Sequence, residues 1–133
     1  MKSEIIPITG DASFRKFYRI TLGKKSKIIV LAKKKIYKNL VAYSAINKFL
    51  KNKKIFTPKL YTYNFSKGII VIEDFGSTSY YDVLIKKKNK LGIYKKLVKF
   101  LLKIQKIKPK SKVKNIQNGE HFIEKYSIKN LLK

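Results

Sequence analysis

The sequence predicts an α+β fold: about five antiparallel strands with one helix, followed by a helical region. Three observations carry this. Short apolar or alternating runs separated by turn residues fill the first half of the chain. A single amphipathic stretch, Asn39–Leu50, interrupts them. Beyond Asp74-Phe75-Gly76 the pattern changes from period two to helical spacing.

The elements follow in order. Ile5–Ile8 is a short apolar run closed by Thr9-Gly10, a first strand and turn. Phe14–Leu22 alternates, with Phe14, Lys16, Tyr18, Ile20 and Leu22 on one side and Arg15, Phe17, Arg19 and Thr21 on the other. Gly23-Lys24-Lys25-Ser26 is a turn, and Ile28–Ala32 is a compact apolar strand that completes a hairpin. In Asn39–Leu50 the residues Leu40, Val41, Tyr43, Ala45, Ile46, Phe49 and Leu50 recur at helical spacing, and Lys51–Lys54 closes the helix with cations that suit its dipole. Thr57-Pro58 forces an extended segment, because the residue before Pro disfavours the helical region. Lys59–Tyr63 and Gly68–Glu73 read as two further strands around an Asn64–Lys67 turn. Ser77 or Thr78 is expected to cap a short helix running to Leu84–Lys87. Leu91–Ile107 is the longest helical pattern and is expected to stop at Pro109. Lys108–Gly119 reads as a polar linker, and Phe122–Leu132 as the start of another amphipathic helix.

Composition excludes several chemistries. The absence of Cys removes disulfides, thiolate metal sites and a cysteine nucleophile, and the single His121 removes two-His metal motifs. No apolar run approaches the ~20 residues of a membrane span, and residues 1–10 do not read as a signal peptide, so a cytoplasmic location is expected. The formal charge is +26, from 33 Lys+Arg against 7 Asp+Glu. It raises the alternative of a basic nucleic-acid-binding module, with the Tyr residues as stacking faces. Against that alternative, only Arg15 and Arg19 are Arg, and the Lys residues spread along the whole chain instead of forming one stripe. The charge therefore reads mainly as solvated background.

A five-strand sheet with a helix after its third strand, then a short hinge and helices, is the plan of a kinase N-lobe, whose parts have local signatures. Gly10-Asp11-Ala12-Ser13-Phe14-Arg15 stands where a loop would cover phosphates, with small residues admitting backbone N–H groups and Ser13 adding a hydroxyl. Val30-Leu31-Ala32-Lys33 resembles the strand end that presents a phosphate-pairing Lys, although Asn39–Leu50 offers no Glu to orient Lys33. Ile69–Gly76 suits a hinge that delivers backbone groups of Glu73 and Asp74 to the edge of an adenine, with Phe75 packing on the ring. Asp74-Phe75-Gly76 is not read as a metal-binding D-F-G, because it precedes the helical region.

The ten residues Gly10–Arg19, GDASFRKFYR, resemble the G-D-A-S-F-R-R-Y-x-R segment of a bacterial branch of the aminoglycoside phosphotransferase-like kinases. That branch includes the anomeric kinase of N-acetylmuramate and N-acetylglucosamine in cell-wall sugar recycling. Thr57-Pro58-Lys59-Leu60 resembles its V-P-x-I/L lead into strand four, and Ile72-Glu73-Asp74-Phe75-Gly76 its L-E-D-L-G hinge. The resemblance covers roughly Ile5 to Leu84. It implies a kinase-like N-lobe with hinge over residues 1–76 and the start of a helical C-lobe over 77–133. It also implies ATP and Mg²⁺ as cofactors and a sugar hydroxyl as acceptor. The nucleotide-binding residues it points to are Gly10, Asp11, Ala12, Ser13, Phe14, Arg15, Lys33, Glu73, Asp74 and Phe75. The base Asp and the metal Asp of such a kinase belong to the C-lobe. After Asp82 the only carboxylate side chains are Glu120 and Glu124, so the chain is expected to be an N-lobe with an incomplete C-lobe, without catalytic or metal-ligating residues of its own.

Overall fold

The computed structural model describes residues 3–9, 14–33, 38–108, 112–114 and 120–122. The chain is α+β and groups into two units, Met1–Asp74 with Lys110–Lys133, and Phe75–Pro109.

The first unit is built on a five-strand antiparallel sheet: β1 (Ser3–Ile8), β2 (Arg15–Leu22), β3 (Lys25–Ala32), β4 (Leu60–Asn64) and β5 (Ile69–Glu73), in the order β1-β2-β3-β5-β4. β2 and β3 form the expected hairpin, with Gly23-Lys24 as its two-residue turn. Helix α1 (Lys38–Asn52) lies between β3 and β4 in sequence. It buries Leu40, Ser44, Ala45 and Asn47, a single face at helical spacing. Leu40 packs into a cluster with Ile28, Val30, Ala32, Phe65, Ile70 and Ile72. Leu40, Val30 and Ile70 are at most 2% exposed, each contributing about 1.5–3 kcal/mol of burial.

Two backbone devices fix the ends of these elements. The C-terminus of α1 closes with Lys54 in the left-handed region, φ +57°. The Ile55 N–H donates to the Leu50 carbonyl at 3.0 Å and the Lys54 N–H to the Lys51 carbonyl at 2.9 Å, the pattern of a Schellman closure. At the β4–β5 turn, the Asn64 side-chain oxygen accepts from the Lys67 N–H (3.0 Å) and the Ser66 hydroxyl (2.8 Å). Gly68 follows at φ +67°, and its carbonyl accepts from the Ala32 N–H at 2.8 Å, tying the turn to the end of β3. A side chain at Gly68 would put Cβ 2.3 Å from the Ala32 carbonyl oxygen, so only glycine fits this approach.

The segment expected to be a polar linker contains a strand, β6 (Lys112–Lys114), paired with β7 (Glu120–Phe122) through Val113↔His121. Val113 is 4% exposed between two exposed Lys residues. That one buried side chain, with β6 against α1, groups this segment with the sheet and not with the helices that precede it. Phe122 thus lies in a strand; the rest of the expected Phe122–Leu132 helix lies outside the described residues.

The second unit holds α2 (Tyr80–Lys86) and α3 (Leu91–Gln105). Ser79, and neither Ser77 nor Thr78, caps α2. Its hydroxyl accepts from the Asp82 N–H at 3.1 Å while the Asp82 carboxylate accepts from the Ser79 N–H at 2.9 Å, a reciprocal capping box. Hydrogen bonds from the Ser79 hydroxyl, then from its backbone N–H, hold the Asp82 carboxyl below its ordinary pKa. α3 starts where expected and ends at Gln105, and its apolar positions Leu91, Tyr94, Val98, Leu101 and Leu102 are exposed. Pro109, the expected stop, lies outside the described residues.

Candidate functional site

The cross-strand register sorts the sheet residues by face. Arg15, Phe17 and Arg19 of β2 oppose Ala32, Val30 and Ile28 of β3, and Val30 and Ile28 oppose Ile70 and Ile72 of β5. This is the face packed against α1, since the same β3 and β5 residues cluster with Leu40 and Phe17 packs beside them. The face of β2 that carries both arginines is therefore its inner face.

Asp74 continues the Ile70–Ile72 face one step beyond β5. There it meets Arg19: Nε lies 2.6 Å from one carboxylate oxygen and Nη2 donates to the other at 3.0 Å. The Asp74 side chain is 3% exposed and that of Arg19 26%. A two-pronged guanidinium–carboxylate contact fixes orientation as well as distance. The hydrogen bond to Asp74 raises the Arg19 pKa, so the guanidinium carries its charge at this contact. The last residue of the Gly10–Arg19 segment and the Asp of the Glu73-Asp74-Phe75-Gly76 segment, 55 positions apart, thus lock the exit of β5 to β2. This contact makes the Asp74 carboxylate an anchor.

Glu73 is committed in the same way. Its carboxylate accepts from the Lys59 N–H at 2.9 Å, and its own N–H donates to the Lys59 carbonyl at 2.8 Å, fastening the start of β4 to the end of β5. Phe75 is 52% exposed at the first position of the second unit.

Phe14, Arg15 and Lys33 gather at the opposite end of the sheet. Arg15 is the cross-strand neighbour of Ala32, and Lys33 follows directly, exposed. Phe14 is 82% exposed, and the Arg15 guanidinium carbon lies 5.9 Å from the Phe17 ring centre. Lys27 opposes Glu73, so Lys33 lies six residues along β3 from the row of Glu73, about 20 Å at ~3.3 Å per residue. Gly10, Asp11, Ala12 and Ser13 lie outside the described residues.

Between these two ends runs the outer face of the sheet. The register sets Pro7, Tyr18, Ile29 and Val71 in one row, Ile5, Ile20, Lys27 and Glu73 in the row nearer Asp74, and Lys16, Leu31 and Ile69 in the row nearer Lys33. Tyr18, Ile20, Ile29, Leu31 and Val71 are half-buried. The only helix among the described residues of the first unit packs on the other face. These residues were absent from the sequence-derived site. Their signal was available in the unbroken apolar runs Ile28–Ala32 and Ile69–Ile72, which mark strands with both faces apolar.

Among the described residues no group of three His, Cys, Asp or Glu side chains stands together to hold a metal ion, and no helix is long and apolar enough to cross a membrane. No protein-family model matches the chain, and no curated protein matches its sequence.

Proposed function

We propose that this chain is the nucleotide-binding portion of an ATP-dependent phosphotransferase of the aminoglycoside phosphotransferase-like kind, whose acceptor is the hydroxyl of an amino sugar such as N-acetylmuramate or N-acetylglucosamine. The observation that carries the reading is the Arg19–Asp74 pair. Two segments that separately resemble the phosphate loop and the hinge of that family share one part-buried ionic contact, as parts of a single site would.

The layout supports the same reading. The base of the nucleotide would lie on the outer sheet face near Ile20, Ile29 and Val71, with the backbone of Glu73–Phe75 at its edge. Its phosphates would extend to the far end of the sheet toward Lys33, two residues past Leu31 of the outer face, with Arg15, on the inner face opposite Ala32, able to reach them only around the sheet end. The hinge carboxylates have other partners, Asp74 with Arg19 and Glu73 with Lys59, so recognition of the base falls to backbone groups and apolar contact.

Among the described residues no group of three His, Cys, Asp or Glu side chains stands together to hold Mg²⁺. The reading places the metal ligands and the catalytic base of such a kinase in its helical lobe, so what it predicts of the described residues is Mg-ATP binding. Thermal unfolding with and without Mg-ATP tests this. A ligand at a hundred times its Kd stabilises by about 2.7 kcal/mol, which is a readable shift, and Lys33→Ala diminishes it. An unchanged melting temperature at millimolar Mg-ATP would remove the reading.

A further inference from the structure

A groove of about 270 Å³ runs between α1 and β4, with Asn47, Lys48 and Lys51 on the helix side and Leu60, Tyr61 and Tyr63 on the strand side. It takes no part in the nucleotide reading. β4 is a terminal strand of the sheet, and among the described residues no strand pairs with its outer edge. The two edges of the sheet differ in composition. β1 carries Pro7 and Glu4, which discourage pairing with another chain, whereas β4 reads Leu-Tyr-Thr-Tyr-Asn, with neither Pro nor charge. A register shift between Leu60 and Thr62 sets Tyr61 apart, leaving Thr62, Tyr63 and Asn64 as the regular ladder.

The helix wall of the groove is held rigidly. The Asn47 amide donates to the Pro58 carbonyl at 2.9 Å and its oxygen accepts from the Thr57 hydroxyl at 3.3 Å, while the Ser44 hydroxyl donates to the Leu40 carbonyl at 2.8 Å. The charge in the groove comes from Lys48 and Lys51, and the Tyr61 ring holds two more ammonium groups, Lys27 Nζ at 4.6 Å and Lys59 Nζ at 5.4 Å from its centre. No acidic residue lines it. An open strand edge beside a helix is the geometry by which domains accept an extended peptide as an added strand, with side-chain pockets supplying specificity.

We infer that the α1–β4 groove docks an extended acidic peptide segment of a partner protein, which adds to the Thr62–Asn64 edge and sets its carboxylates against Lys48 and Lys51. Single-stranded nucleic acid fits less well. Base stacking needs an open aromatic face, but Tyr61 already carries two ammonium groups and Tyr63 stacks on Phe65 at 4.8 Å.

The test is fluorescence anisotropy of the whole chain with a labelled Glu-Val repeat peptide at ~150 mM salt. A Glu-Pro repeat of the same charge and length is the comparison, since Pro cannot donate to a strand ladder. Expected results are saturable binding of Glu-Val, at least tenfold weaker binding of Glu-Pro, and at least tenfold weakening by Lys48→Glu/Lys51→Glu. The reversal of two lysines on α3, Lys95→Glu/Lys96→Glu, leaves binding within twofold. Thermal melts confirm that each variant is folded, with Lys48→Gln/Lys51→Gln in reserve. Equal affinity for the two peptides, equal loss in both lysine pairs, or a thymidine decamer that binds more tightly and is lost with Lys48 and Lys51 would each overturn the inference. The Mg-ATP shift is expected to survive Lys48→Glu/Lys51→Glu, so this idea and the nucleotide reading fail separately.

Discussion

Gly68→Ala tests how the sheet end beneath Lys33 is built. The added Cβ would sit 2.3 Å from the Ala32 carbonyl oxygen and 3.3 Å from its carbon, both backbone atoms that no rotamer change can move aside. At φ +67° alanine also pays about 1–2 kcal/mol for the left-handed conformation. Relief of the clash requires the turn to retreat by about an ångström, which breaks the 2.8 Å bond from the Ala32 N–H to the Gly68 carbonyl, worth about 1 kcal/mol. Displacing Ile70 and Val30, which follow on either side, adds about 1 kcal/mol or more of strain. The total is about 3–4 kcal/mol, or about 12–32 °C in melting temperature at ~4–8 °C per kcal/mol for a small domain. Urea unfolding with an unchanged m-value gives the direct reading. Gly76→Ala is the internal comparison. Its φ is +84°, but an added Cβ meets nothing within 4 Å, so only the conformational cost of about 1–2 kcal/mol applies. If Gly68→Ala costs no more than Gly76→Ala, the close approach to Ala32 is not a constraint and the reasoning fails.

The other predictions concern particular contacts. Lys54→Gly relieves a non-glycine left-handed residue and is expected to stabilise the chain by up to about 1 kcal/mol, read as a higher urea midpoint. Arg19→Met leaves the enclosed Asp74 carboxylate without its guanidinium and lowers the melting temperature; Arg19→Met/Asp74→Leu recovers part of that loss, because no lone charge remains enclosed. Ser79→Ala costs α2 about 1 kcal/mol and returns the Asp82 titration, followed by NMR, toward its ordinary value of 3.8. Because the folded Asp82 pKa lies below the unfolded one, the capping box contributes fully above the unfolded value and is lost as pH falls through the folded value. A cap whose NMR signature persists well below that lowered value would contradict the assignment.

Local patterns made the strands and helices legible to within a few residues: alternation in Arg15–Leu22, the apolar runs of β3 and β5, and the helical spacing of α1 and α3. The cap of α2 could also have been read. Ser77, Thr78 and Ser79 are three adjacent candidates, but only Ser79 has an acidic residue three positions on. β6 was not legible, because a Lys-Val-Lys triplet carries one apolar residue and its strand character depends on β7 and α1. At the site, the sequence showed which residue types could meet phosphate and base, but not which were already committed. Asp74 looked available for a ligand until its partner 55 residues away was visible. The Glu73 bond to the Lys59 N–H, 14 positions away, is non-local too. The outer sheet face is hard to read from sequence because runs such as Ile28–Ala32 and Ile69–Ile72 are apolar on both faces.

The most direct test of the nucleotide reading is a titration of the full chain with Mg-ATP followed by amide and methyl NMR. Saturable shifts are expected at Ile20, Ile29, Leu31 and Val71 on the outer sheet face and at Arg15 and Lys33 beyond it, with Lys33→Ala weakening the affinity. No shifts at millimolar Mg-ATP, or shifts confined to Lys48, Lys51, Tyr61 and Tyr63, would contradict it.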